Sequence, residues 1–130
     1  MRALILLLCG GLAAFPALAC DLSLKTRPGQ VASYVEAARA CLSAPPVGFD
    51  FDAEQEAGFL KLVNAERAAH GLNPLALRAD LSAPARFHSL DMAVNGFFGH
   101  EGPDGRGPDA RIAALDRRAF SDFSAENVAT

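Results

Sequence analysis

The sequence predicts an α+β chain that is predominantly helical. Three observations carry this. Apolar residues recur at three- and four-residue intervals in successive segments, Gly- and Pro-rich stretches separate those segments, and the tail FSDFSAENVAT has the apolar and small residues of an entering strand.

The first residues, MRALILLLCGGLAAFPALA, combine one basic residue, an apolar run, the helix breaker Pro16 and small residues at Ala17 and Ala19. This is the pattern of a secretory signal peptide over residues 1–19, with cleavage after Ala19, and the run is too short for a transmembrane helix. No transmembrane segment is expected in the mature chain. Removal of the signal takes Cys9 with it and leaves Cys20 and Cys41 in an oxidising compartment, secreted or periplasmic, where a disulfide between them is the expected state. The alternative is a lipoprotein anchored at Cys20, which ALAC fits less well because Ala17 stands where a larger aliphatic residue is usual.

Residues 20–50 form an N-terminal helical appendage. In VASYVEAARACL the spacing of Val31, Tyr34, Val35, Ala38 and Leu42 predicts a helix over 30–43, stopped by APPVG. Asp52 is placed to cap a second helix running to His70, with Gln55 able to reciprocate, Phe59, Leu62 and Val63 on its apolar face, and Gly71 as its left-handed stop. In the following GLNPLALRAD, Leu72, Leu75 and Leu77 are expected to lay the loop on a core. A third helix begins near Asp80 or Ser82, with Pro84 in its first turn, Leu81, Ala85, His88 and Met92 on one face, and Gly96 at its end. GPDG at 102–105 has the residue preferences of a type I turn, and GPDARIAALD opens a short helix with Pro108 first and Asp109 favourably placed against the helix dipole.

The 12 basic and 15 acidic residues leave a formal net charge of −3, and no basic patch interleaved with aromatics is present, so nucleic acid is not an expected partner. Nucleophilic catalysis has little to build on. Ser89 falls within a helix, Ser121 and Ser124 lie in the tail, and no G-x-S-x-G motif occurs. Glu101 and Asp104 are better explained by an ordered turn than by a glycosidase dyad. His88 reads as a packed imidazole with one hydrogen-bond partner, and His70 as a helix-terminal residue without chemistry. Arg106 and Arg111 are expected to tie down the turn and the short helix through carbonyls or Asp104.

The ordered set LVNAERAAHGLNPL, RFHSLDMAVNGFFGHEGPDGRGPDARI and AENVA resembles the CAP superfamily in its bacterial branch. This group comprises the cysteine-rich secretory, antigen 5 and pathogenesis-related proteins, and its domain is also called the SCP domain. The resemblance implies an α-β-α sandwich, of which residues 51–130 correspond to a partial, roughly N-terminal half. It also implies a cleft to which His100, in FFGH, and Glu126, in AENVA, contribute a histidine and a glutamate. Together these two would hold a divalent metal such as zinc only weakly, since a tight zinc site takes at least three protein ligands.

The resemblance points to a secreted, non-enzymatic binding or scaffold module of the cell envelope or exterior, with a lipid or a protein as the class of ligand. The alternatives are a metal-dependent envelope hydrolase using His100 and Glu126, and a truncated remnant without activity. Faces that a sheet covers in relatives are expected to lack cover here. Several hundred Å² of apolar area left in water forgoes on the order of 10 kcal/mol, which favours dimerisation or marginal stability.

Overall fold

The computed structural model describes residues 19–23, 30–118 and 125–128. The expected signal peptide lies outside the described residues up to position 18, as does most of the expected strand before residue 125. Among the described residues four helices follow one another: α1 (Val31–Ser43), α2 (Ala53–Ala69), α3 (Ala79–Asn95) and α4 (Pro108–Leu115). Among the described residues there is no strand, and 125–128 have no regular secondary structure.

Local chemistry sets the helix limits. The Asp52 carboxylate accepts hydrogen bonds from the amides of Glu54 and Gln55, satisfying two donors that the first turn of α2 cannot pair internally. At the other end Gly71 adopts φ +68°, its amide bonds to the Ala68 carbonyl, and Leu72 N–H reaches back to Arg67 O. This paired closure satisfies carbonyls left open at a helix end and requires a residue tolerant of positive φ. Gly96, at φ +66°, ends α3 in the same conformation.

The core lies where α1 crosses α3. Leu22, Tyr34, Ala37, Ala38 and Cys41 pack against Phe87 and Leu90, with Ala114 and Leu115 of α4 at the margin. The segment expected to be an appendage therefore supplies most of the core. A disulfide joins Cys20 to Cys41, and the Leu22 carbonyl accepts a hydrogen bond from Asn95 Nδ2 at the end of α3. Covalent and polar contacts thus hold residues 20–22 against both helices.

Three expectations are corrected. On α3 the buried residues are Pro84, Phe87, His88, Leu90 and Asp91, whereas Ala85 is exposed and Leu81 and Met92 are half-buried. The face is rotated from the expected stripe because the partner is α1, whose small residues Ala37, Ala38 and Cys41 share the core cluster with Phe87. Secondly, α3 begins at Ala79, so Pro84 stands in its second turn, where its missing N–H leaves the Asp80 carbonyl without the usual intrahelical donor. Thirdly, Leu72, Leu75 and Leu77 are exposed. The loop is held instead by polar contacts: Asn64 exchanges two hydrogen bonds with the backbone of Leu75, and Arg67 Nε donates to Asn73 O.

No residue of α2 is buried. It joins α3 through a two-pronged ion pair, Arg86 to Glu56, with Nε to Oε1 at 2.7 Å, and the same guanidinium lies over the Phe51 ring. Phe59 and Leu62 face away, 63% and 70% accessible, whereas Leu60 and Val63 are half-buried.

Candidate functional site

The loop between α3 and α4 carries the site. Its turn closes through Gly105 N–H to Gly102 O at 2.9 Å, and Gly102 N–H returns to Arg106 O at 3.0 Å. Asp104 fixes the exit: Oδ1 accepts from the Arg106 amide and Oδ2 from Arg106 Nε at 2.7 Å. A side chain at Gly102 would place its Cβ 3.2 Å from Asp104 Oδ1, tight enough to disturb this arrangement.

Helices on either side then grip consecutive carbonyls of the loop. His88, buried on α3, donates from Nε2 to Gly99 O at 2.8 Å, its ring edge-on to Phe97. Arg111, buried on α4, donates from one guanidinium nitrogen to His100 O at 2.6 Å and to Arg106 O at 2.9 Å. The backbone that presents His100 is therefore fixed from two directions, and its side chain projects outward, 55% exposed.

The same guanidinium reaches the tail. Its other terminal nitrogen donates to Glu126 Oε1 at 2.5 Å, and Glu126 Oε2 lies 3.0 Å from His100 Nδ1. The two residues singled out by resemblance thus touch, and Arg111 holds them both. Burial pushes the Glu126 carboxyl up, but hydrogen bonds from Arg111 and His100, with the Arg111 charge, outweigh it and hold the group below the usual carboxylate range. The other polar groups stand apart. His70 pairs with Glu66 on the surface of α2, and Ser89 is exposed on α3. Glu101 is exposed beside His100, whereas Asp104 belongs to the turn.

The described residues do not by themselves make a divalent-cation site. Both Glu126 oxygens are engaged and a fixed positive charge lies against the carboxylate, which leaves His100 Nε2 as the one open donor atom of the pair. Among the described residues, no three His, Cys, Asp or Glu side chains converge to hold a metal. What the cluster does offer is an exposed imidazole backed by a largely covered, ionised carboxylate that rests on a buried guanidinium. Sequence reasoning gave Arg111 a tying role but missed its bond to Glu126; it gave His88 as a packed imidazole with one hydrogen-bond partner, which the structure identifies as the Gly99 carbonyl. The signal for Arg111 was an arginine one turn into a helix that starts directly after an ordered turn.

Beneath the loop, Arg106 Cζ sits 4.9 Å from the centroid of the Tyr34 ring. The core helix α1 thereby contacts the site-bearing loop directly. Burial, reinforced by Asp104 and Asp91, raises the Tyr34 hydroxyl far above its ordinary pKa.

No curated protein and no solved structure matches this chain. Residues 60–130, more than half of the 130-residue sequence, match the CAP family, the cysteine-rich secretory protein family. That span contains α3, the gripping residues of the loop, α4 and both members of the His100–Glu126 pair. The chain belongs to the CAP family of cysteine-rich secretory proteins.

Proposed function

We propose that this chain is a secreted or periplasmic binding or scaffold module, and that the His100–Glu126 pair is a structural clasp within it rather than a catalytic metal centre. The carrying observation is the commitment of Glu126, which receives Arg111 on one oxygen and His100 on the other. A carboxylate so engaged joins the tail to the loop; to serve as a metal ligand or a general base it would have to leave both partners.

Extracellular placement is supported by the Cys20–Cys41 disulfide, a bond that persists in oxidising compartments. A Cys20 sulfur bonded to Cys41 is also not free to carry a thioether-linked lipid, which favours the soluble exported form over the lipoprotein alternative. The apolar residues of α2 and its following loop are the surface this reading assigns to a lipid or protein ligand.

Calorimetric titration with zinc, comparing the wild type with His100→Ala, separates the two readings. The clasp predicts no tight zinc binding by either protein. Tight binding that disappears in His100→Ala would establish the metal centre and favour the hydrolase.

A further inference from the structure

Of the chain's three histidines, two are held through Nε2 and one through Nδ1. His88 uses Nε2, facing a carbonyl oxygen that can only accept. His70 uses Nε2 toward Glu66. His100 alone uses Nδ1, toward Glu126. A carboxylate also only accepts, so the proton must sit on His100 Nδ1, and the neutral ring then carries a bare lone pair on Nε2. Glu126 does not hold this position unaided. Arg111 fixes the carboxylate and, through the carbonyls of His100 and Arg106, the backbone beneath the ring.

We infer that Arg111 is a positioning residue that, through Glu126, locks His100 in the Nδ1–H tautomer and presents Nε2 outward as the site's acceptor atom. The consequence is a selectivity of chemical class. An outward lone pair matches a hydroxyl or amine N–H of a ligand and disfavours a carboxylate or phosphate oxygen. This inference does not depend on the apolar surface of α2 and survives if that surface binds nothing.

The test is a two-bond 1H–15N correlation spectrum of the full-length mature protein, labelled with 15N, recorded at about pH 8, where unperturbed imidazoles are neutral. His70 and His88 should show the Nε2–H pattern and His100 the Nδ1–H pattern. In Glu126→Ala, His100 should move to the Nε2–H form or to an averaged pattern. In Arg111→Gln the Nδ1–H population should fall at least several-fold while His70 and His88 stay unchanged. Should Arg111→Gln fail to fold, Arg111→Met decides, because methionine fills much of the same space but cannot donate to Glu126. An Nε2–H pattern for His100 in the wild type, or no change in Glu126→Ala, would overturn the tautomer lock. A wild-type pattern in folded Arg111→Gln, or in Arg111→Met when that is the deciding variant, would remove Arg111 from it.

Discussion

The ring of Tyr34 meets that of Phe87 edge-on, with centroids 5.2 Å apart and planes inclined at 75°. This is the favourable geometry for two aromatic quadrupoles, and it joins α1 to α3 at the centre of the core. The two rings nevertheless differ in what they contribute. Phe87 is fully buried and apolar, whereas Tyr34 carries a buried hydroxyl with no hydrogen-bond partner among the described residues. Phe87→Ala should therefore cost about 3–5 kcal/mol, from lost burial and the cavity left behind. Tyr34→Phe should be neutral or stabilising by up to about 1 kcal/mol, since it deletes an unsatisfied polar group and keeps the ring contact. Urea unfolding of both variants checks the pair, and a strong loss in Tyr34→Phe would show that the hydroxyl has a partner in solution.

The disulfide closes a segment between residues 21 positions apart and secures the part of the chain that carries Leu22. In the loop-entropy view such a closure is worth roughly 3 kcal/mol. Cys20→Ser with Cys41→Ala should lower the urea midpoint accordingly, and a reductant should destabilise the wild type while leaving the double variant unaffected. An unchanged wild-type midpoint under full reduction, verified by thiol counting, would show that packing alone holds residues 20–22 in place.

Glu126 makes the clasp sensitive to acid. Its folded-state pKa lies below the ordinary value of 4.5, so ionisation favours the folded form. The stabilisation is complete above the unfolded pKa and is lost as pH falls through the folded one. Glu126 remains partly solvated, so the effect is small, under about 1 kcal/mol. Glu126→Gln should be less stable than the wild type at neutral pH, with the gap closing progressively below about pH 4.5, as the linkage requires. Paired denaturation midpoints across that range test the sign, and a gap that widens on acidification would contradict the clasp.

How much of this was legible in the sequence follows from how local each cause is. The α2 cap at Asp52, its glycine stop at Gly71 and the turn at Gly102–Gly105 depend on residues a few positions apart, and each was readable directly. The buried face of α3 was not, because its phase is set by α1, whose small residues make the close approach that seats Phe87. Leu72, Leu75 and Leu77 show the same limit: apolar residues predict burial only where something is present to cover them. At the site, His100 and Glu126 entered through family resemblance, since a separation of 26 residues carries no periodic signal. The bond from Arg111 to Glu126 depends on the path of the tail, which local patterns do not encode.

The last prediction concerns the exposed side of α2. Phe59 and Leu62 sit one turn apart with most of their surface in water, and the following loop adds Leu72, Leu75 and Leu77. If this surface is free in solution, Phe59→Ser with Leu62→Ser should change stability by no more than about 0.5 kcal/mol per site, the usual range for exposed positions. The same variant should bind less of a hydrophobic dye, and any self-association of the wild type should weaken in sedimentation velocity. If instead something covers the surface, each substitution removes buried apolar area at roughly 25 cal/mol per Å² and the combined loss should exceed about 2 kcal/mol. Stability and sedimentation together then identify the cover. A loss that grows with protein concentration points to a second copy, because association contributes to stability by mass action. A loss independent of concentration points to another segment of the same chain.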